Sequence, residues 1–248
     1  MRGYRRDLAF IHDAGYSDYA LGAAPGLLRI LKTHKINRGL VIDLGCGSGR
    51  WARELNRAGY SVLGIDQSRA MIALARRIAL KSQFKTASLL RITLPTCDAI
   101  TSIGECVNYC FDETNSRSSI RRLFERCYRA LRPGGLLICD VATLQRKPGG
   151  GVREHQSSGA GWRITAKTTA SGSRGLCREI VAYRRTGAGW RRSSEIHNLR
   201  LYAADEVAGD LRRCGFRVRP VRSFGRFRLP PGIVGFVAVK PEFRGRLR

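Results

Sequence analysis

Asp43, Gly45, Gly47 and Gly49 stand at alternate positions where one apolar run ends, and a second carboxylate, Asp66, ends the next such run. Val41–Trp51 reads V-I-D-L-G-C-G-S-G-R-W, and Gly64–Ser68 reads G-I-D-Q-S. A strand that turns through glycines into a helix lets a ligand approach the backbone where no Cβ intervenes. A carboxylate ending the following strand, about 20 residues on, can accept both hydroxyls of a ribose. Together these residues predict a cradle for an adenosine-bearing cofactor. Two classes of cradle are excluded by detail. A dinucleotide fingerprint, G-x-G-x-x-G, needs its third glycine at position 50, where Arg50 stands. A phosphate-binding loop continues into Lys-Ser or Lys-Thr, whereas Arg50-Trp51 follows here.

The surrounding pattern supplies elements to hold such a cradle. Residues 4–33 predict helices, with Leu27, Leu28 and Leu31 forming an apolar stripe beyond a break at Pro25-Gly26. Strands are expected at Leu40–Leu44, Val62–Ile65, near Phe84–Ala87, at Ala99–Ile103 and at Leu136–Val141. Between them come a helix from Gly49 to about Ala58, stopped by Gly59, and one capped by Ser68 with Met71, Ile72 and Ala75 on one face. Ile120, Leu123, Phe124, Cys127, Tyr128 and Leu131 recur at helical spacing until Arg132-Pro133-Gly134-Gly135 breaks the run. This alternation implies a parallel, doubly wound sheet.

Residues 145–200 depart from the rhythm. A flexible run, Pro148-Gly149-Gly150-Gly151, precedes strand-like stretches near Trp162–Thr169, Leu176–Arg184 and Trp190–Leu201, the last two joined at Gly187-Ala188-Gly189. A helix at Ala203–Cys214 and strands at Phe216–Phe224 and Gly232–Val239 complete the chain. The expected fold is α/β: a Rossmann-like, doubly wound, seven-stranded sheet with its last strand antiparallel. N-terminal helices precede it, and a small antiparallel β insertion separates strand 5 from the following helix. One domain, 1–248, would then comprise a helical cap (1–35), a cofactor-binding core (36–144 and 201–248) and an insertion (145–200) acting as a lid.

A hydrophobic fraction of 43% over 248 residues is ample for a core and sets disorder aside. No apolar run approaches the ~20 residues of a membrane span. The charged start, Met1–Asp7, leads into no signal-peptide core, so a cytoplasmic protein without a membrane partner is expected. The 8 cysteines include no C-x-x-C pair, and Cys46, Cys97, Cys127 and Cys139 fall inside apolar elements, which predicts reduced thiols and no metal. A formal net charge of +26, mostly arginine, is the unusual quantity. Basic residues thicken toward the C-terminus at Arg212, Arg213, Arg217, Arg219, Arg222, Arg226 and Arg228, then Arg244, Arg246 and Arg248. Two readings stay open: an electrostatic footprint for nucleic acid or another polyanion, or a solvated arginine-rich surface. Neither an R-G-F-G-F-V-like strand nor a zinc knuckle accompanies the charge.

The pattern D-x-G-x-G-x-G at 43–49 resembles motif I of the class I S-adenosylmethionine (SAM) dependent methyltransferases. L-R-P-G-G-L-L-I at 131–138 is similar to the motif before strand 5 in that family. E-I-H-N-L-R-L-Y-A-A-D-E-V at 195–207, leading to C-G-F at 214–216, resembles the segment after the insertion in small-molecule and uncharacterised members. The resemblance spans roughly residues 36–142 and 195–240 and implies SAM as cofactor, lying across the carboxyl ends of strands 1 to 4. It places Gly45, Cys46 and Gly47 at the methionine half, within a loop that runs from Asp43 to Gly49. Asp43 suits the positive sulfonium at the loop mouth. Asp66 would hold the ribose, and Gln67 would lie beside the adenine. Ser88 and Leu89 follow strand 3, where relatives often carry an acid for the adenine amino group. Ile103, Gly104 and Glu105 follow strand 4, where cofactor and acceptor meet. Amine methylators of nucleic acids often show N-P-P-Y or D-P-P-Y there; G-E-C-V-N-Y in this chain argues against an exocyclic base amine.

Methyl transfer from a sulfonium is an in-line displacement, in which alignment supplies roughly 7–11 kcal/mol. A base adds about 10²–10⁴-fold. His12, Glu105, His155 and His197 are the candidate bases, with Glu105 and His197 as the catalytic residues and His12, Tyr16 and Arg200 at the acceptor. The function implied is methylation of oxygen or nitrogen on a small-molecule acceptor. Two alternatives remain beside it: an RNA or protein methyltransferase recruited by the arginine-rich surface, and a non-catalytic SAM-binding module.

Overall fold

The structure, a computed structural model, describes residues 3–187 and 189–242; Ala188 and the basic residues Arg244, Arg246 and Arg248 lie outside the described residues. Short apolar runs bounded by turn residues form the central strands β1 (Leu40–Leu44), β2 (Ser61–Asp66), β3 (Gln83–Thr86), β4 (Cys97–Ser102) and β5 (Leu131–Ala142), all mutually parallel. A four-stranded antiparallel sheet follows: β6 (Val152–Gly159), β7 (Trp162–Ser171), β8 (Gly175–Thr186) and β9 (Gly189–Arg200). The chain then returns through β10 (Arg217–Val221), a two-stranded ribbon of β11 (Ser223–Phe224) and β12 (Phe227–Arg228), and β13 (Ile233–Val239). β13 inserts antiparallel between β5 and β10, giving a seven-stranded order β10-β13-β5-β4-β1-β2-β3.

Helices α1 (Arg6–Gly15) and α2 (Asp18–Thr33) precede the sheet, and α3 (Arg50–Arg57), α4 (Arg69–Ile78), α5 (Arg117–Ala130) and α6 (Ala204–Arg213) connect its strands. Ser68 caps α4 by accepting the Met71 amide at 3.1 Å, as its position predicts. Two apolar cores result, one on each face of the sheet. Ile120, Phe124 and Leu211 pack on one side, and Leu27, Trp51 and Ile72 on the other. Because β1 lies between β2 and β4, the strand order reverses beside it, and the carboxyl edge opens there into a crevice.

Three expectations need correction. α2 runs unbroken through Pro25-Gly26. Interior proline costs a helix about 3 kcal/mol, but here Ala23, Ala24, Leu27 and Leu31 are all buried, and Gly26 lets the helix lie directly against the Phe224 carbonyl. The insertion has four strands instead of three, because β6 was hidden in a Ser- and Gly-containing run. It is an edge strand exposed nearly throughout, so it shows no apolar alternation; its order comes from pairing with β7. The expected strand Phe216–Phe224 is divided between β10 and the β11–β12 ribbon.

Candidate functional site

One cavity of about 570 Å³ runs from the glycine turn after β1 to the inner face of the antiparallel sheet. Its cofactor-side wall begins where β1 ends. Gly45 and Gly47 adopt φ of +76° and +52°, a left-handed backbone that side chains disfavour. The Gly45 and Cys46 amides donate to the Ile65 carbonyl at 2.7 and 3.0 Å, which locks the turn onto β2. The Gly47 amide donates to Asp66 Oδ2 at 3.0 Å, and the Ser68 amide donates to Asp66 Oδ1 at 2.8 Å. Glycine turn and strand-end acid therefore share one crevice and one hydrogen-bond network. Burial raises the Asp66 carboxyl above its ordinary value, against these amide bonds. Asp43 is buried beneath the turn, accepting from Thr101 Oγ1 at 2.8 Å, while Trp51 Nε1 donates to the same Thr101 oxygen at 3.1 Å. Burial pushes the Asp43 carboxyl up to about 7, with the Asp66 charge adding to the effect.

Asp43, Gly45, Cys46, Gly47, Asp66, Gln67, Ser88, Leu89, Ile103, Gly104 and Glu105 all line the cavity. Gly49 does not. It sits behind the turn with φ of +80°, and a Cβ there would come within 3.0 Å of Ala75, so its glycine serves helix packing. Ser88 turns out to be coupled to a carboxylate from elsewhere: its Oγ donates to Asp112 Oδ2 at 2.6 Å. Asp112 also accepts from Thr114 and Arg91 and lines the cavity. The acid missing after β3 is thus replaced in space by one 24 residues later.

The loop after β4 is held by Asp140, which sequence reasoning missed inside an apolar strand. Its fully buried carboxylate accepts from the Gly104 amide at 2.9 Å, the Glu105 amide at 2.6 Å and the Tyr19 hydroxyl at 2.8 Å. Burial raises Asp140 to about 6 despite those donors. Glu105 is left-handed, with φ of +53°. Its Oε1 accepts from Arg178 Nη2 at 3.2 Å, and Arg178 Nη1 donates to the Tyr109 hydroxyl at 3.1 Å. Glu105 Oε2 is buried with no hydrogen-bond partner among the described residues. Arg178 was also missed, yet β8 carries a signal: Leu176, Ile180 and Ala182 are its buried apolar positions, and Arg178 interrupts their alternation.

The N-terminal cap closes the cavity from above. Arg50 holds Asp13 in a bidentate pair at 2.7 and 2.8 Å, Ser68 Oγ donates to the Tyr4 carbonyl at 2.7 Å, and Leu8 and Ile11 pack on Trp162, Ile164 and Ile180 of the insertion. Asp7 is paired with Arg184 and Arg191 from β8 and β9. His12 and Tyr16 line the cavity, and Tyr16 lies 3.3 Å from His155 Nε2 at its rim. Burial pulls the His12 imidazole down to about 4, with the positive potential of His197 adding to the shift and Asp13 opposing it.

His197 and Arg200 do not line the cavity. His197 is 0% exposed, with Nε2 2.9 Å from Glu195 Oε2 and its ring among Tyr4, Tyr109 and Phe111. Arg200 falls on the opposite, exposed face of β9, since alternate residues of a strand point to opposite sides. Among the described residues no cluster of three His, Cys, Asp or Glu is placed to hold a metal, and no helix is long and apolar enough to cross a membrane.

A glycine turn and strand-end acid at the switch point of a seven-stranded sheet, with an antiparallel strand inserted beside β5, define the class I SAM-dependent methyltransferase fold. Residues 41–135 match the family described as "Methyltransferase domain". A protein of Geobacillus sp. (strain WCH70) with a provisional methyltransferase name is 33% identical over 104 residues, 41% of each chain. The ubiquinone biosynthesis O-methyltransferase of Chelativorans sp. (strain BNC1) is 32% identical over 108 residues, 43% of this chain and 40% of that one. The chain thus matches about two fifths of the length of these curated relatives. SAM-bound CalS10, an amino pentose methyltransferase from Micromonospora echinaspora, superposes with a TM-score of 0.76 at 20% identity, covering 97% of this chain and 99% of that one. In fold the chain is that of the class I SAM-dependent methyltransferases, and its residues 41–135 are similar to their methyltransferase domain.

The cradle fits SAM on its own geometry. A Cβ at Gly47 or Gly104 would meet nothing within 4 Å, so both backbones stand open to a ligand. The acids Asp43 and Asp66 face the same crevice with no phosphate-binding lysine beside them, a donor set suited to a sulfonium and a ribose.

Proposed function

We propose that this protein transfers a methyl group from SAM to an oxygen or nitrogen of a small-molecule acceptor. The acceptor would be enclosed between the loop after β4, the N-terminal cap and the inner face of the antiparallel sheet. The observation that carries the reading is the continuity of the cavity, which joins Gly47 and Asp66 to Glu105, Arg178 and Ile180 without an intervening wall. Such enclosure suits a small ligand. The names of the Chelativorans and Micromonospora proteins, an O-methyltransferase of ubiquinone biosynthesis and an amino pentose methyltransferase, agree with that substrate class.

When bound, SAM supplies a methyl group activated on a sulfonium. Asp66 would accept the ribose hydroxyls, its oxygens already fixed by the Gly47 and Ser68 amides. Glu105, oriented by Arg178 and by the Asp140-held backbone, would use its unpartnered Oε2 to accept a hydrogen bond from the acceptor's O–H or N–H. His12 would take the proton. Burial keeps it uncharged at neutral pH, a weak base whose lone pair suffices for the strongly acidic proton of a methylated oxonium. The cap and insertion would shield this chamber from bulk water.

The test is incubation of the purified protein with methyl-labelled SAM and fractionated cell extract. Label should enter the low-mass fraction, and Glu105→Gln should reduce that incorporation while leaving SAM affinity unchanged. Label confined to RNA or protein would overturn the small-molecule reading. One observation favours RNA as a second reading: on the outer face of the insertion, Trp190 is 54% exposed with Arg163 over its ring, beside Tyr183 and Arg192. Aromatic rings interleaved with arginines can stack bases. A gel shift that weakens steeply with salt would support that reading.

A further inference from the structure

Four arginines line the cavity, and they are of two kinds. Arg50 is consumed by Asp13, and Arg178 by Glu105 and Tyr109. Arg146 and Arg153 have no carboxylate partner among the described residues. Arg146 Nη1 donates only to the Pro231 carbonyl at 3.3 Å, and Arg153 Nη2 donates to the Arg146 carbonyl at 2.8 Å. Most of their guanidinium donors, five on each side chain, are therefore unfilled.

Their placement is specific. Register puts Arg153 opposite Thr168, which faces Arg178, which faces His197; directly opposed residues share a face, so this row lies on the cavity side of the sheet. His155, the next residue of β6 on that face, lines the same rim. Arg146 is fixed from the other side, where a Cβ on Gly232 would approach its amide nitrogen to 2.9 Å. The carboxylates that line the cavity come instead from the carboxyl ends of β1 and β2 (Asp43 and Asp66) and from the segment after β4 (Glu105 and Asp112). Acids thus occupy one end of the chamber and unpaired arginines the other.

We propose that the methyl acceptor carries a carboxylate or phosphate group, and that Arg146 and Arg153 hold this group at the rim while the nucleophilic atom points inward to Glu105 and His12. The inference rests on the methyltransferase reading and names the substrate class for the same site. Planar guanidinium forks match both oxyanions bidentately, and such charge-assisted bonds orient a ligand as well as hold it.

The test uses protein saturated with S-adenosylhomocysteine and titrated by calorimetry with inorganic phosphate and, separately, with succinate. Ionic strength is held constant, because a chain of net charge +26 attracts anions diffusely. Wild type should show saturable binding of at least one probe. Phosphate as the tighter probe identifies a phosphate ester acceptor, and succinate as the tighter probe identifies a carboxylate. Arg146→Gln and Arg153→Gln should each weaken that binding about tenfold, the loss of one charge-assisted hydrogen bond. Arg77→Gln, on the exposed face of α4 and away from the cavity wall, should leave it unchanged. Equal weakening in all three variants, unaltered binding in the first two, or no saturable binding by wild type would overturn the proposal. Failure of wild type to bind S-adenosylhomocysteine would instead overturn the cofactor site, and retained affinity for it shows that the variants are folded.

Discussion

The two ends of the cavity are assembled differently. At the cofactor end, Gly45, Gly47 and Asp66 belong to neighbouring parallel strands and bond directly through backbone amides, so the site is formed as soon as β1 pairs with β2. At the acceptor end, His12, Glu105, His155 and Arg178 come from α1, the loop after β4, β6 and β8. They meet because Leu8 and Ile11 pack on Trp162, Ile164 and Ile180 and because Asp7 pairs with Arg184 and Arg191 and Glu105 with Arg178. A site fixed by backbone hydrogen bonds is insensitive to side-chain drift, whereas one fixed by packing between distant segments changes whenever that packing changes. The first end suits an invariant cofactor, and the second suits an acceptor that differs between proteins.

The largest expected effect falls on the residue that links the two ends. Asp140→Ala leaves the Gly104 and Glu105 amides and the Tyr19 hydroxyl without their acceptor. At ~1–3 kcal/mol for each buried orphan, denaturant unfolding should show a loss of about 4 kcal/mol. A loss under about 1 kcal/mol would show that the loop after β4 is held by other means.

A pH series separates the ends by sign. Asp43 is raised to about 7 in the folded protein, so its contribution to stability is complete below its unfolded value of 3.8 and disappears as pH climbs to about 7. Asp140, raised to about 6, acts in the same direction. His12, lowered from 6.5 to about 4, contributes fully above pH 6.5 and loses its contribution as pH falls to about 4. At ~1.4 kcal/mol per pKa unit these amount to about 4 kcal/mol for Asp43 and about 3 kcal/mol each for Asp140 and His12. Chemical denaturation of the cofactor-free protein between pH 4 and 7 should therefore fall less steeply with rising pH in Asp43→Asn and more steeply in His12→Phe. Parallel curves for wild type and both variants would contradict the burial of these groups.

Smaller effects sharpen the contrast within the glycine turn. Gly45→Ala meets both a left-handed φ and the Cys106 sulfur, which lies 2.5 Å from where a Cβ would sit. Gly47→Ala meets only the φ. Stability should drop by about 2–3 kcal/mol in the first and about 1 kcal/mol in the second, by thermal or urea unfolding. Gly47→Ala should nonetheless weaken SAM, because its methyl group enters the cradle.

The same division explains what could be read from the chain. Strands β1 to β5, the Ser68 cap and the Asp43–Asp66 cradle follow from local rules: turns at glycine, apolar runs of strand length, a carboxylate at a strand end. Arg178 and Asp140 act through partners far away in sequence: a break in the apolar alternation of β8 marks Arg178 as unusual without naming its partner, and nothing local marks the role of Asp140. Asp112 reaches Ser88 through a loop whose path the motif does not specify. His197 looked reactive as a histidine beside Arg200 and Tyr202, but strand parity turns it into an aromatic cluster and turns Arg200 to the outer face. Edge strand β6 shows the reverse effect, since pairing orders a segment with no apolar pattern of its own.

Calorimetric titration with SAM, comparing wild type with Asp66→Asn, bears most directly on the claim that glycine turn and strand-end acid form one cofactor site. The substitution keeps a carbonyl oxygen for one neighbouring amide and removes the second acceptor. Wild type should bind at one site, and the variant about 30-fold more weakly, roughly 2 kcal/mol, while its circular dichroism spectrum still reports a folded protein. No binding by wild type, or equal affinity in the two proteins, would contradict the account.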